Sequence, residues 1–490
     1  MDDNAHKSDK HGLISVIKTT ILSVAVVSAT YFGSSYVGNL VFRADIGNYE
    51  QMAAASEAKL NSIFNENPGL MVKSGMTASV INTRSIPTFD VDMHIPDTGK
   101  AVVADLAGMK VTLYQNKKEV GKYPIISKGK EGSRWQTPVG AYNIQSKERT
   151  HLSSIGEVYM PYSMEFYGNF FIHGWPTYPN GSPVKLGYTG GCIRLSTSDA
   201  KNVYTFADIG TPILVYEGTT SEQMAKGIMM ATDTPQIAAE SYLVADMGTG
   251  EVFAEKNANE IRPIASLTKL VTAIVANEAI TYNKQIKITK HVTDTLGEKT
   301  LKQGDVFTAT ELLYPLLMQS DNGAAVALAD AYGSSGFIKL MNAKATAIGM
   351  DNTHFEDAHG ISEKNTSTAE DLFRLSRYFY DNQRFLLDIT KLPQKTIPAT
   401  VYNSRYDLYN FNVFSGMPEF LGGKTGKTTA AKETMVALFS YADPDNAQST
   451  STLAIIVLGS DDRKQDVTKL RDWTLASLNN TPPAAITRAQ

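Results

Sequence analysis

The stretch Phe170–Leu195, FFIHGWPTYPNGSPVKLGYTGGCIRL, holds Cys192, the only cysteine in 490 residues. A lone cysteine makes no intramolecular disulfide, so it either packs or reacts. Most free cysteines pack, as small buried hydrophobes made inert by apolar surroundings. Three neighbours favour reaction here. Gly190 and Gly191 allow a sharp turn before Cys192 that can present backbone N–H groups to a carbonyl. Arg194 supplies a fixed charge that favours thiolate or holds a substrate carboxylate. His173 ends an apolar run that reads as a strand, and a cysteine nucleophile needs such a base near in space.

This stretch resembles the signature of the L,D-transpeptidase catalytic domain of bacterial cell-wall enzymes. That family has a His-Gly element, then Ser or Thr, His, Gly, the catalytic Cys, an apolar residue, and Arg or Asn. Here these become His173-Gly174, then Thr189, Gly190, Gly191, Cys192, Ile193 and Arg194. The resemblance implies Cys192 as nucleophile and His173 as general base, with Gly174, Thr189, Gly191 and Arg194 as substrate-binding. Gly190 stands where the commonest form has histidine, which touches the tuning of the thiolate more than the reaction type.

Working outward, residues 99–217 alternate short β-rich runs (MKVTLYQ, GKYPIIS) with turns such as Gln115-Asn116-Lys117-Lys118, the pattern of a small mainly-β domain. Lys128-Gly129-Lys130, Thr137-Pro138-Val139-Gly140 and Met160-Pro161-Tyr162 resemble the same family's glycine turns and pre-histidine segment. His151 matches no family position and reads as a surface-loop histidine.

Residues 1–18 are polar, and Thr19–Phe42 then carries no charge until Arg43. At ~1.5 Å per residue such a helix outreaches the ~30 Å hydrocarbon core, so 19–42 is expected to be an uncleaved membrane anchor. A cleavable signal peptide, with Val27-Ser28-Ala29 imitating its cleavage site, is the alternative. Either exports the remainder. Residues 43–98 read as a stalk and connector, 218–237 as a linker, and 479–490 as a tail.

Across 238–478 the pattern turns to mixed α and β. Ser241-Tyr-Leu-Val-Ala reads as a strand, Thr249-Gly250 as a hairpin turn and Glu251-Val-Phe-Ala as its partner. Ser266 and Lys269 then stand three apart at the start of a helical pattern, on one face, where the amine can take the serine proton. Alone, Ser-x-x-Lys occurs by chance in many solvent-facing helices. Ser320-Asp321-Asn322 follows between two apolar helical stretches, and Lys424-Thr425-Gly426 leads toward a strand. These three in this order are the set described for penicillin-binding proteins and class A β-lactamases. Gly426-Lys427-Thr428 ends like a phosphate loop, but the glycine required five residues earlier falls on Leu421.

The flanks YLVADMGTGEVFAEKNANEIRPIASLTKLVTA, MNAKATAIGMDNTHFEDAHGIS and LAIIVLGSDDRKQDVTKLRDW resemble serine-type D-alanyl-D-alanine carboxypeptidases, the low-molecular-mass penicillin-binding proteins. The resemblance implies Ser266 as nucleophile and Lys269, its amine pKa lowered by burial and a neighbouring cation such as Lys424, as base. Ser320 would relay a proton to the leaving group and Asn322 would fix Lys269. Lys424 and Thr425 would hold the terminal carboxylate, with Gly426 and Lys427 also in the substrate-binding set. The backbone N–H groups of Ser266 and Lys427 would form the oxyanion hole. Asp321 stands where these carboxypeptidases more often have glycine.

The expectation is a multidomain chain: an N-terminal transmembrane helix, a mainly-β L,D-transpeptidase domain, and an α+β penicillin-binding/β-lactamase-like domain. It would be membrane-anchored by a single pass, with its catalytic domains on the cell-wall side. The carboxypeptidase would trim peptidoglycan stem peptides and the transpeptidase would crosslink them, with β-lactams as inhibitors. A net charge of −4 makes no case for nucleic acid, and eight scattered histidines none for a metal site. Neither reaction calls for a cofactor. The alternatives are a β-lactamase-like penicillin hydrolase, with Glu356 near the expected deacylating position but Gly360 in place of asparagine, and a peptidoglycan-binding scaffold with an inactive site.

Overall fold

A computed structural model describes residues 84–86, 94–153, 155–217, 234–294, 300–443 and 446–480. The expected anchor at 19–42, most of the stalk, the linker from 218 to 233 and the tail from 481 lie outside the described residues. Among the described residues no helix is long and apolar enough to cross a membrane.

The first domain contains β1 (Lys100–Asp105), β2 (Lys110–Gln115), β3 (Lys118–Pro124), β4 (Gly140–Asn143), β5 (Ser146–Ser153), β6 (Val158–Tyr167), β7 (Phe170–His173), β8 (Ile193–Arg194), α1 (Thr197–Phe206) and β9 (Pro212–Tyr216). They form two sheets, ordered β3-β2-β1-β9-β4 and β5-β6-β7-β8. The β2–β3 turn places Asn116 and Lys117 at φ 52° and 62°, the positive pair that suits the twist of a two-residue hairpin. Val102, Ala104 and Val111 of one sheet share a core with Met164, Phe166, Ile172 and Ile193 of the other. This domain is mainly β, as expected. His151 is not in a loop: it lies on β5, half-buried, stacked on Phe171 with ring centres 4.5 Å apart.

The second domain contains β10 (Ser241–Asp246), β11 (Val252–Lys256), α2 (Thr268–Ala279), α3 (Ala309–Met318), α4 (Asn322–Tyr332), α5 (Ser334–Ala347), α6 (Ala369–Asn382), α7 (Arg384–Lys391), β12 (Phe420–Thr428), β13 (Lys432–Asp443), β14 (Asn446–Ser460) and α8 (Arg463–Asn480). Its antiparallel sheet runs β11-β10-β14-β13-β12. Leu243, Val436, Leu438, Ala454 and Ile456 face the helical layer, while Val244, Ala437, Phe439, Ile455 and Val457 face the side that receives Val467 and Leu470 of α8. That strict period of two belongs to a sheet covered on both faces. Helix α2, TKLVTAIVANEA, is apolar almost all round and is buried on nearly every side, as such a helix must be.

Part of the expected stalk belongs to this second domain. Ile86, 1% exposed, sits in its core, and the backbone at 84–86 bonds Gly250 and Val252 at 2.8 Å each. Gly250, at φ 71°, is required there, because a Cβ would stand 2.3 Å from the Ile86 carbonyl.

The two domains are packed together as well as covalently joined. Val139 and Leu340 contact both cores, and Ala347 of α5 lies in the first domain's core. At this joint Lys344 is fully buried, 2.9 Å from Glu278. It donates to Tyr142 at 2.9 Å and Tyr378 at 3.1 Å and lies 4.2 Å from the Tyr167 ring centre. Burial lowers the Lys344 pKa, and Glu278 opposes that fall. Breaking such a pair strands a buried charge, which costs about 3–5 kcal/mol.

Candidate active sites

Ser266 lies in the single 3-10 turn Ala265–Leu267 that leads into α2, and Lys269 is the second residue of that helix. Lys269 Nζ is 2.9 Å from Ser266 Oγ and donates to Asn322 Oδ1 at 2.6 Å and to the His359 carbonyl. A neutral amine has two N–H groups and one lone pair. With Asn322 and His359 accepting the two hydrogens, the lone pair is left for the Ser266 hydroxyl. Burial lowers the Lys269 pKa to about 7, and the charges of Asp321 and Asp357 oppose the fall. The neighbouring-cation effect expected on Lys269 falls instead on Lys424, which burial, then Lys269, then Arg463 drive well below the ordinary lysine range.

Lys424 donates to Ser320 Oγ at 2.9 Å and to the Thr425 carbonyl at 2.7 Å, linking the second and third motifs. Ser320 holds φ at 58°, a left-handed conformation that serine rarely adopts. Lys424-Thr425-Gly426 lies within β12 rather than ahead of a strand. Gly426 brings that strand against the nucleophile: a Cβ there would stand 2.9 Å from Ser266 N. Lys427 turns its side chain outward to Glu433, 2.9 Å away, so only its backbone can serve the site.

Asp321 is the N-cap of α4. Its carboxylate accepts from Ala324 N and Thr300 N, both at 2.7 Å, which gives this aspartate a structural role. Glu356 faces Lys364 and His354 at 3.7 and 3.6 Å, an exposed arrangement unlike a base beside the serine. Gly360, at φ 83°, packs on the nucleophile turn so closely that a Cβ would stand 2.1 Å from the Ala265 carbonyl. No asparagine fits that backbone.

Motif reading missed the Asp357–Ile361 loop. Asp357 accepts from the backbone N–H groups of His359 at 2.9 Å and Ser362 at 2.8 Å and from Asn365 at 2.7 Å, fixing the carbonyl that Lys269 uses. The Asp-x-His-Gly run was the only available signal, and it is ordinary turn chemistry.

In the first domain, parallel pairing sets Ile172 beside Ile193 and His173 beside Arg194. Both isoleucines point into the core, so His173 and Arg194 share the opposite face. His173 Nδ1 lies 2.6 Å from the Gly174 carbonyl, so Nδ1–H donates and Nε2 is free to act as base. Burial pulls the His173 pKa down to about 4 and pushes the Cys192 thiol up to about 11. Cys192 is half-buried, with its sulfur 3.8 Å from the Asn169 carbonyl. Among the described residues no hydrogen bond joins it to His173.

Thr189 Oγ1 donates to the Cys192 carbonyl at 2.6 Å and accepts from Gly191 N at 3.1 Å, so both are engaged inside the turn. Gly191, at φ 106°, leaves no room for a side chain beside Phe170, and Gly174 packs closely on Thr197. Gly190 is the reverse: a Cβ there would meet only the Trp135 ring, at 4.0 Å. Arg194 is 4% exposed, its Nε without a partner, and no carboxylate pairs with it among the described residues.

The arrangement about Lys269 can carry acyl transfer through a serine ester. Residues 228–460 match the family model described as D-alanyl-D-alanine carboxypeptidase, and residues 99–215 match that described as L,D-transpeptidase catalytic domain. A D-alanyl-D-alanine endopeptidase of Pseudomonas aeruginosa is 31% identical over 260 residues, 51% of this chain and 81% of the relative. One from Escherichia coli is 30% identical over 51% of this chain and 82% of its own. The D-alanyl-D-alanine carboxypeptidase DacB2 of Mycobacterium tuberculosis is 33% identical over 41% of this chain and 70% of its own. The chain belongs to the D-alanyl-D-alanine carboxypeptidase family, with an L,D-transpeptidase-type domain ahead of the serine domain.

Proposed function

We propose that this protein is a bifunctional peptidoglycan-modifying enzyme in which Ser266 trims pentapeptide stems and Cys192 crosslinks the products. The observation that carries the reading is Lys269, set between Ser266, Asn322 and the His359 carbonyl with its pKa near 7. Ser266 Oγ attacks the D-Ala-D-Ala carbonyl as its proton passes to Lys269. Ser320, held by Lys424, returns a proton to the departing D-alanine, whose carboxylate Lys424 and Thr425 hold. Water then cleaves the acyl-serine. At Cys192 the thiol gives its proton to His173 and attacks the carbonyl preceding the tetrapeptide's D-alanine, which leaves. An amine of a neighbouring stem takes the acyl group. Buried, carboxylate-free Arg194 supports a role in holding a substrate carboxylate. β-Lactams would acylate these nucleophiles, and residues 19–42 would anchor the chain with both domains facing the wall.

Because tetrapeptide is the product of one site and the donor of the other, the two would act in series. Wild-type protein should convert a pentapeptide substrate into 3,3-type crosslinks, Ser266→Ala should not, and tetrapeptide should serve both. Cys192→Ala should release D-alanine without crosslinking. Crosslinks formed from pentapeptide by Ser266→Ala would end the serial scheme. Fused and separated domains compared on insoluble wall test whether proximity helps, since joining raises effective concentration.

The endopeptidase names of two relatives favour a second reading, in which Ser266 cuts the D-alanyl bond inside an existing crosslink. A crosslinked dimer cleaved faster than pentapeptide, and not by Ser266→Ala, would establish it.

A further inference from the structure

One wall of the cysteine site is held from the other domain. The segment 129–137 lies along the glycine turn: Gly129 bridges to Thr189, and the Trp135 ring lies 4.0 Å from where a Cβ on Gly190 would stand. The Gln136 carbonyl lies 3.5 Å from where a Cβ on Gly191 would stand. Three successive side chains of that segment are gripped by the serine domain. Arg134 donates to Thr310 Oγ1 at 2.9 Å and lies 5.0 Å from the ring centres of both Tyr282 and Phe385. Trp135 meets Tyr282 edge-on at 5.4 Å, and Gln136 donates to the Asp381 carbonyl at 3.4 Å. On the far side, Asn169 donates its side-chain amide to the Ala279 carbonyl at 3.4 Å, at the end of α2. The Asn169 backbone carbonyl is the group that faces Cys192 Sγ.

We propose that the serine domain is a structural part of the cysteine site. Arg134 and Asn169 act as positioning residues that set Trp135 and the Asn169 carbonyl against Cys192. The proposal rests on reading Cys192 as an acyl-transfer nucleophile, and adds that the first domain alone holds an incomplete site. An arginine stacked on aromatic faces is a strong anchor for a segment that carries Gly129 and Gly132. A carbonyl oxygen facing sulfur favours thiol over thiolate, so displacing Asn169 changes the reactivity of the nucleophile as well as the shape of its wall. Ser266 sits in the turn that leads into α2 and Lys269 in that helix's first turn, and the far end of the same helix binds Asn169, so the two sites share one rigid element about 18 Å long.

The test uses full-length protein carrying Arg134→Ala, Tyr282→Ala or Arg134→Lys. Cys192 is the only thiol, so iodoacetamide alkylation followed by intact mass reads its surroundings directly. Fluorescent-penicillin labelling of Ser266 reports that the serine domain is intact. Both alanine variants should change the alkylation rate roughly threefold and lower kcat/KM for tetrapeptide about tenfold, chiefly through KM, with Ser266 labelling unchanged. Arg134→Lys should fall between. Wild-type alkylation and transfer in Arg134→Ala and Tyr282→Ala would overturn the proposal. Altered alkylation, in a protein whose wild type transfers no acyl group, would sink the catalytic reading of Cys192 and leave the positioning role standing.

Discussion

The serine and cysteine sites differ in how much of the chemistry is assembled before substrate arrives. At Ser266 the base already touches the nucleophile, at 2.9 Å, and a second lysine already holds Ser320. At Cys192 the proposed base, His173, is held by the Gly174 carbonyl, and the sulfur faces the Asn169 carbonyl instead. The contrast follows from the nucleophiles. A serine hydroxyl is a poor nucleophile until an aligned base removes its proton, whereas sulfur is intrinsically reactive once deprotonated. The serine site needs its wiring in the resting state. The cysteine site can rest as neutral thiol and neutral imidazole.

The largest test of that contrast removes the wiring. Ser266→Ala should abolish covalent labelling by a fluorescent penicillin, and Lys269→Ala should slow it by about 10²–10⁴-fold, the usual contribution of a positioned base. Neither should alter iodoacetamide alkylation of Cys192. Labelling that survives Ser266→Ala would place the nucleophile elsewhere.

The two sites should also part company in their pH profiles. As the proposed base Lys269 would act as a neutral amine, and its pKa is lowered to about 7, so Ser266 acylation should fall as pH drops through 7 and level off above it. The Cys192 thiol, pushed up to about 11, should alkylate faster by about tenfold per pH unit well beyond pH 9. Rapid-mixing rates across pH 5–10 measure both (roughly the range in which each nucleophile changes protonation state). A plateau in Cys192 alkylation below pH 8 would reveal a resting thiolate and erase the difference.

What was legible in the sequence follows the same divide. Ser266, Lys269, Ser320, Asn322 and Lys424 stand out because their side chain types at this spacing form an ordered motif set, and their side chains meet in the fold. His359 was invisible because it contributes a backbone carbonyl, which any residue type could supply. Lys344 and Glu278 lie on helices where a charged residue reads as solvent-facing, and only the meeting of two domains shows them buried. Arg134 and Trp135 sit in a polar, glycine-containing loop whose partners lie well over a hundred residues away. Alternating strands were readable from period, but not that residues 84–86 would leave the stalk and join the second domain's core.

Two adjacent glycines sharpen the cysteine side of the comparison at lower amplitude. Gly191→Ala places a methyl 2.2 Å from the Phe170 ring at φ 106°, so calorimetry should show a loss of about 1–3 kcal/mol. Gly190→His has open space and should leave stability within about 0.5 kcal/mol, as an unconstrained substitution does. An imidazole there adds a second proton acceptor near the sulfur, so Cys192 alkylation should accelerate. No acceleration would mean that the resting thiol is governed by burial, opposed only by the Phe171 backbone and Arg194.

The smallest expected effect concerns Asp321→Gly. Two consequences separate. The cap on α4 and the tie to Thr300 are lost, at a cost between a few tenths and about 1 kcal/mol, because glycine is itself a tolerated N-cap. The second consequence is electrostatic. Asp321 is the leading charge that holds the Lys269 pKa up against burial, so removing it lowers that pKa further. A lower pKa leaves more neutral amine at a given acidity, and the acylation profile should move toward lower pH. The variant should therefore label faster than wild type at pH 6 and equally fast above pH 8, about a unit either side of an amine that titrates near 7. Asp357 remains in place and keeps the displacement to a fraction of a pH unit. A profile displaced toward higher pH would mean that losing the cap had opened the Lys269 pocket to water, making Asp321 important for burying the amine rather than for its charge.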